Sequence, residues 1–323
     1  MAPVEPLIGS RWQAFDGSTV GTVGVAGPED VEVAFAAAER GAAVWRRTPA
    51  HERMTIPLRA AEFADQRAAK IARTISAESG KTITEATGEA ARSGDLIRLA
   101  AFEGTQLYGE TLPLDANRGT GQDKVGFTLR RPCGVVVAIT PFNHPALLVL
   151  HTLAPALAAG NAVVLEPATS TPLTALELAE CFVDAGLPEG VLLVLVGVGA
   201  VPGDALVTDP RARKISFTGA TATGEHLARV AGVKKLSLER GASCPFVVLP
   251  DADLELAAGA HDGRGHHGPV ALAAGQDARP VRTGLRDGPL TFVDAARGVA
   301  DVLAGRSPAA IANPDWNPRK ATA

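Results

Sequence analysis

Short apolar segments alternate with helical segments from residue 133 onward, and this alternation constrains the fold more than any other feature. The segments Gly134-Val-Val-Val-Ala-Ile139 and Ala162-Val-Val-Leu165 are continuously apolar, which predicts strands buried on both faces. Further strands are predicted at 191–196, 214–217, 235–238 and 245–249, with helices at 145–159, 172–185, 201–208 and 221–231. Repeated strand–helix units predict an α/β fold with a doubly wound parallel sheet, whose ligand binds at the carboxyl ends of the strands.

Two other kinds of structure are predicted upstream of this sheet. Apolar residues recur at helical spacing over 28–48, 52–79 and about 84–104, and Gly80 stands where a glycine would end the second helix. Residues 107–131 are rich in glycine and proline, which predicts an extended hairpin arm. The expected order is therefore helices over 28–105, a β arm over 107–131 and the sheet over 133–258.

Composition and charge exclude several classes of protein. A net charge of -4 over 323 residues gives no reason to expect nucleic acid or an anionic membrane as partner. The most apolar region, 133–166, is interrupted by proline, asparagine and histidine, whereas a membrane helix needs about 20 uninterrupted apolar residues. The N-terminal residues lack the basic and apolar segments of a secretory signal. We therefore expect a soluble cytoplasmic protein.

Three predicted strand ends carry groups suited to ligand binding, and each also has a purely structural interpretation. Asn143 follows the first strand, where its amide could point into a cleft or could serve as a polar turn residue. Gly219 and Gly224 lie between a strand and a helix, an arrangement that suits a phosphate but also an ordinary turn. Glu239 ends a later strand, either as a general base or as a solvated charge.

In combination these segments resemble the aldehyde dehydrogenase superfamily across residues 10–258. The resemblance rests on the order and spacing of Ile139-Thr-Pro-Phe-Asn-His-Pro145, Pro155-Ala-Leu-Ala-Ala-Gly-Asn161, Phe217-Thr-Gly219 and Leu238-Glu239. Upstream, Glu78-Ser-Gly-Lys81 resembles the acidic-x-Gly-Lys helix end of that family. The resemblance implies a Rossmann-like cofactor region, NAD or NADP as cofactor, an aldehyde as substrate, and a β arm that bridges subunits in homo-oligomers.

The resemblance also implies roles for individual residues. Asn143 is similar to the amide that completes the family's oxyanion hole, and Glu239 is similar to the general base that hydrolyses the thioester. The positions that match the family's cofactor cleft are Ile139, Thr140, Pro141, Phe142, Asn143, Glu166, Gly199, Phe217, Thr218, Gly219, Ala220 and Gly224.

Four departures from the family pattern predict weakened or lost cofactor binding. Glu166 replaces a lysine that contacts the cofactor ribose or its 2′-phosphate, so the charge beside an anionic ligand is reversed. Thr169 replaces a glutamate found in many members, and Ala220 replaces a serine. Arg240-Gly-Ala242 replaces Leu-Gly-Gly. The choice between NAD and NADP stays open, because Glu166 removes the position at which it is usually made.

The family's cysteine nucleophile is missing from the expected segment. Gly275-Gln276-Asp277-Ala278 resembles the Gly-Gln-x-Cys segment but holds no cysteine. A thiolate is needed because it adds to the aldehyde, becomes a thioester once hydride passes to the nicotinamide, and leaves when water hydrolyses that thioester. Cys133 and Cys181 are predicted to be packing residues, and Cys244 a small buried or edge residue. We expect the chain to be catalytically inactive.

Residues 259–323 do not continue the family pattern. They hold seven arginines but one lysine, and they show no strand–helix rhythm beyond a possible helix over 291–304. We expect an irregular, disordered tail, produced by truncation or a frame shift or by genuine divergence, and no family homo-oligomer. His261, His266 and His267 share no helix face, so no metal site is predicted. The alternative function is a non-catalytic nucleotide-binding or interaction protein that kept the cofactor fold.

Overall fold

The computed structural model describes residues 10–13, 19–119, 121–197, 200–241, 246–248, 270–272 and 279–281. The chain divides into two compact units, Met1–Arg240 and Gly241–Ala323. All of the candidate site residues that the structure describes lie in the first unit. The predicted cofactor-cleft position Gly199 lies outside the described residues.

Five helices precede the central sheet. They are α1 (Pro28–Trp45), α2 (Ala50–Gln66), α3 (Ala68–Ser79), α4 (Ile83–Ala90) and α5 (Ser93–Gly104). Gly80 ends α3 with a left-handed backbone (φ 74°), as predicted.

Two of the predicted helices are each divided in two by the structure. The segment 52–79 breaks at Arg67, whose backbone (φ -96°, ψ 1°) leaves the helical region between α2 and α3. The segment 84–104 breaks between α4 and α5, where Gly94 lets α5 pack directly against Asp65 of α2. Both breaks allow the helices to pack against their neighbours, and helix propensity alone does not predict such packing.

The central sheet has five parallel strands in the order β7-β6-β5-β8-β9, which confirms the doubly wound α/β prediction. The strands are β5 (Val135–Ile139), β6 (Ala162–Glu166), β7 (Leu192–Val194), β8 (Ala212–Gly219) and β9 (Lys235–Arg240). The connecting helices are α6 (Leu147–Ala158), α7 (Pro172–Asp184), α8 (Ala200–Thr208) and α9 (Thr221–Val230). The strand order reverses between β5 and β8, which is where a doubly wound sheet opens a crevice for its ligand.

Each face of the sheet has its own apolar core. Helices α2 to α7 cover one face, where Leu150 and Phe182 are fully buried. Helices α1, α8 and α9 cover the other face, where Phe35 and Ile215 are fully buried. Burial on both faces explains why the central strands β5 and β6 are continuously apolar.

Two antiparallel hairpins lie outside this sheet. Strands β3 (Thr111–Leu112) and β4 (Gly126–Phe127) pair through a 3-10 turn at Leu114–Ala116, which confirms a hairpin within the predicted arm. Strands β1 (Ser10–Gln13) and β2 (Thr19–Val23) form a second hairpin that the sequence reasoning did not predict.

The described residues of the second unit include three short strands. Strand β10 (Phe246–Val248) confirms the prediction of a strand at 245–249. It pairs in parallel with β11 (Val270–Leu272), which pairs antiparallel with β12 (Arg279–Val281). Strands β11 and β12 thus lie in the segment for which the sequence predicted no strands; β12 contains Arg279 and Pro280, so no apolar run marks it. The predicted helix over 291–304 lies outside the described residues.

Within the described ranges, no helix combines the length and the apolar character needed to cross a membrane.

Candidate functional site

The carboxyl edge of the sheet brings together residues from four strands at the point where the strand order reverses. Ile139 of β5 is paired in register with Glu166 of β6 on one side and with Phe217 of β8 on the other. Thr218, the next residue of β8, pairs with Glu239 of β9. Five of the predicted site residues therefore share one edge, where ligands of doubly wound sheets bind.

The segment after β5 carries four of the predicted residues. Thr140 is buried, and its N–H donates to the carbonyl oxygen of Glu166 at 3.1 Å, which joins the ends of β5 and β6. The hydroxyl oxygen of Thr140 is buried and has no hydrogen-bond partner within the described residues. Pro141 is half-buried, whereas Phe142 and Asn143 are exposed beyond the strand end. The Asn143 amide is thus accessible at the edge where the sequence placed it.

A buried carboxylate that the sequence reasoning missed holds this segment in place. Glu89 of α4 is only 1% exposed, and its Oε1 accepts hydrogen bonds from the N–H groups of Ala146 (2.9 Å) and Leu147 (3.2 Å). Its Oε2 lies 2.5 Å from Nζ of Lys81 and 3.3 Å from Nδ1 of His144. Glu89 therefore caps the first turn of α6 and fixes the residue that follows Asn143.

Glu78, the first residue of the Glu78-Ser-Gly-Lys81 segment, binds the start of a second helix. The carboxylate of Glu78 accepts from the N–H groups of Leu173 (2.9 Å) and Thr174 (3.0 Å) at the beginning of α7. Burial raises the pKa of Glu78 to about 7, although the hydrogen bonds from Thr174 and Leu173 oppose this shift. The α3–α4 turn thus anchors the helices that follow both β5 and β6.

The turn after β8 leaves the first N–H groups of α9 without a side-chain cap. Ala220 is the N-cap residue and supplies no side-chain acceptor. A Cβ at Gly219 would lie 2.6 Å from the Phe217 ring, and one at Gly224 would lie 2.6 Å from Cδ of Arg240. Gly219 is therefore favoured by packing against the Phe217 ring, whereas a side chain at Gly224 would displace the exposed Arg240 side chain. The uncapped helix start is the feature that suits a phosphate.

A cavity of about 500 Å³ opens beside this helix start. It is lined by Ile139, Glu166, Gly203, Asp204, Ala222, Thr223, His226 and Leu227. Asp204 of α8 and His226 of α9 meet at 2.8 Å, a pair that sequence reasoning missed because the two residues lie on different helices. Glu166 is only 8% exposed, and its Oε2 is buried without a hydrogen-bond partner in the described part of the chain.

The carboxyl group of Glu166 is the most perturbed group of this cavity. Burial raises its pKa to about 7, and the negative charge of Asp204 adds to the shift. Thr169, another departure from the family pattern, donates its hydroxyl to the carbonyl oxygen of Gly197 at 2.7 Å and so holds the segment after β7. The departures at 166 and 169 thus have different consequences. Glu166 lines an open cavity, whereas the Thr169 hydroxyl is hydrogen-bonded within the chain.

Glu239 and the cysteines occupy different environments. Glu239 is exposed at the carboxyl end of β9. Cys133 precedes β5 at the opposite edge of the sheet, where its N–H donates to Oδ1 of Asn161 at 2.6 Å. Cys181 is buried in α7, and this burial raises the pKa of its thiol. Neither cysteine lies at the carboxyl edge, and Cys244 lies outside the described residues.

Among the residues that the structure describes, no group of three or more His, Cys, Asp and Glu could hold a metal ion. The histidines at 261, 266 and 267 lie outside those residues, so their prediction stays untested.

The fold and the strand order define a doubly wound α/β protein, and comparison with known proteins identifies its family. Residues 10–265 match the model of the aldehyde dehydrogenase family, and the chain belongs to that family. It is 42% identical over 257 residues to aspartate-semialdehyde dehydrogenase 1 of Pseudomonas canavaninivorans, a match that covers 80% of this chain and 54% of that protein. It is 39% identical over 244 residues to succinate-semialdehyde dehydrogenase [NADP(+)] GabD of Escherichia coli K12, covering 75% and 50%.

Solved structures of the family share the fold. The NADP-dependent glyceraldehyde-3-phosphate dehydrogenase of Bacillus halodurans C-125, complexed with NADP, superposes with a TM-score of 0.73 at 38% identity, covering 77% of this chain and 52% of that one. An NAD-dependent benzaldehyde dehydrogenase from Corynebacterium glutamicum gives 0.73 at 34% identity, covering 82% and 59%. The chain spans about half the length of the curated relatives that it matches.

Proposed function

We propose that this chain is the dinucleotide-binding half of an NAD(P)-dependent enzyme that oxidises an aldehyde to a carboxylic acid, and that it does not complete this oxidation by itself. The observation that carries the proposal is the cavity at the strand-order reversal, which is lined by the start of α9 and by Glu166, whose buried Oε2 has no hydrogen-bond partner among the described residues. The family membership of the chain supports the same assignment.

The residues at this edge fit a dinucleotide in two respects. The first N–H groups of α9 have no side-chain cap, so they suit a pyrophosphate at a helix N-terminus. The buried Oε2 of Glu166 needs a hydrogen-bond donor, and a ribose hydroxyl can supply one. When bound, the nicotinamide group supplies the hydride acceptor of the oxidation.

The chain's own contribution to the chemistry is one amide and one carboxylate. Asn143 donates its amide N–H to the aldehyde oxygen as negative charge develops there, an interaction typically worth about 3–4 kcal/mol. Glu239 would accept a proton from the water that hydrolyses an acyl group, once a nucleophile outside the described residues carries that group. Both side chains are exposed, and their residues follow or end strands at the same edge of the sheet.

Within the described residues, no cysteine lies where it could provide the covalent step. The sequence holds three cysteines, and none of them follows Cys244. Cys133 and Cys181 lie away from the carboxyl edge, as described above. This feature also favours the second candidate function, a protein that binds a nucleotide or a partner without catalysis.

Two measurements on the full chain test the proposal. Calorimetric titration with NAD, NADP and ADP-ribose is expected to show binding, and absorbance at 340 nm is expected to show no cofactor reduction with short-chain semialdehydes. Turnover that disappears in Cys244→Ala would contradict the claim that the chain lacks a nucleophile. Absence of binding by a chain that circular dichroism shows to be folded would contradict the cofactor site.

A further inference from the structure

The position of Glu166 in the sheet matches a known point of nucleotide selection. Strand β6 is the second strand of the parallel sheet in chain order and neighbours β5, and Glu166 is its last residue. In doubly wound nucleotide-binding sheets, an acidic residue associated with the second strand accepts hydrogen bonds from the adenosine ribose. The hydroxyl at the 2′ position of that ribose is free in NAD and phosphorylated in NADP.

The local structure leaves this carboxylate ready for a hydrogen-bond donor from outside the chain. Glu166 is only 8% exposed, and its buried Oε2 has no partner within the described ranges. The cavity of about 500 Å³ begins at this side chain. A buried polar group without a partner is unfavourable, so a ligand that brings hydroxyl groups into the cavity gains from satisfying it.

The charges around the cavity disfavour the 2′-phosphate that distinguishes NADP from NAD. The ionisable groups that line it are Glu166 from β6, Asp204 from α8 and His226 from α9, while β5 contributes only Ile139. His226 is already paired with Asp204 at 2.8 Å. Among the described residues that line it there is no lysine or arginine. Above pH 7, where Glu166 is mostly ionised, a 2′-phosphate with a charge of about -1.5 to -2 would therefore face its carboxylate with no unpaired cation among these residues.

We propose that Glu166 is a specificity-determining residue that makes this chain bind NAD in preference to NADP. The inference rests on the proposed function, because it assigns a preference to the same dinucleotide site. The preference is opposite to the cofactor named for the GabD enzyme of Escherichia coli and for the Bacillus halodurans enzyme.

Calorimetric titrations of the full chain at pH 8 test this preference. That pH keeps the carboxyl group ionised, since its pKa is about 7. NAD is expected to bind at least tenfold more tightly than NADP. Glu166→Lys is expected to reverse the ratio by at least tenfold toward NADP, because it places a cation beside the 2′ position. Glu180→Lys changes the net charge equally on the exposed surface of α7 and is expected to leave the ratio unchanged.

The two ways of failing give different results. If the chain binds NADP as tightly as NAD, or if Glu166→Lys leaves the ratio unchanged, the preference is refuted and the dinucleotide site stands. If the folded chain binds none of NAD, NADP and ADP-ribose, the proposed function is refuted and the preference with it. Glu166→Gln serves if the lysine variant does not fold. It removes the charge with little change in shape, and a NAD-to-NADP ratio that it leaves intact refutes the proposal equally.

Discussion

Replacing Glu89 by alanine tests whether the α3–α4 turn supports the segment that carries Asn143. The variant removes a carboxylate that is 1% exposed and that accepts hydrogen bonds from the N–H groups of Ala146 and Leu147. It also removes the carboxylate paired with the ammonium group of Lys81, whose side chain is only 20% exposed, and leaves that group only its contact with Nδ1 of His144 at 3.1 Å. The free energy of unfolding should therefore fall sharply.

The expected loss follows from what each contact is worth. Removing one member of a buried ion pair typically costs about 3–5 kcal/mol, because the other charge stays buried without compensation. Glu89→Gln keeps an acceptor for the two N–H groups and loses the charge, so its cost should be about 1–3 kcal/mol. The exposed Glu103 of α5 provides a matched control, and its replacement by alanine should change stability by less than about 0.5 kcal/mol.

Urea denaturation of the full chain, followed by tryptophan fluorescence, to which the buried Trp45 contributes, measures these differences. A double-mutant cycle with Lys81→Ala should give a coupling energy of at least about 1 kcal/mol, since the two charges lie 2.5 Å apart. A cost below about 1 kcal/mol for Glu89→Ala, or no coupling with Lys81, would refute the supporting role of this carboxylate.

Two further predictions concern the same unit of the chain. Because burial raises the pKa of Glu166 from 4.5 to about 7, the folded chain holds a proton that the unfolded chain has lost, and stability falls as pH rises between these values. Urea denaturation should therefore give nearly equal free energies of unfolding for wild type and Glu166→Gln at pH 5. At pH 8 the variant should be more stable by up to about 3 kcal/mol. Equal stability of the two proteins at both pH 5 and pH 8 would contradict this. Gly41→Ala should lower stability by about 1–3 kcal/mol, since its Cβ would overlap the backbone of Gly190. Gly88→Ala, which meets open space in α4, should instead raise stability by up to about 1 kcal/mol, and equal melting shifts for the two variants would refute the packing argument.

The parallel sheet was predictable because its signal is local. The continuously apolar segments that end at Ile139 and Leu165 identify β5 and β6, and Gly80 marks the end of α3. The break at Arg67 was not predictable, since the residues on both sides of it favour helix. What divides them is packing: α2 packs mainly against α5 and α3 mainly against α4, although both also contact α7. Strands β1 and β2 were missed because neither shows a clear alternation of apolar and polar residues.

The candidate site was predictable where residues follow strands directly. Asn143, Glu166 and Glu239 were placed at strand ends from the sequence, and the structure puts all three at one edge of the sheet. The pair of Asp204 and His226 depends on how α8 and α9 lie together, and no spacing within one element encodes it.

The covering of the sheet by α1 has a consequence for folding during synthesis. Helix α1 contacts β6 and α8, although β6 follows α1 by about 120 residues. At roughly 5–20 residues per second, a ribosome makes β6 roughly 6–24 s after α1. Until then the apolar side chains of Val31 and Phe35 have no sheet to pack against. During that interval the nascent chain exposes the apolar face of α1. We therefore expect chaperones to bind this helix before it packs onto the sheet.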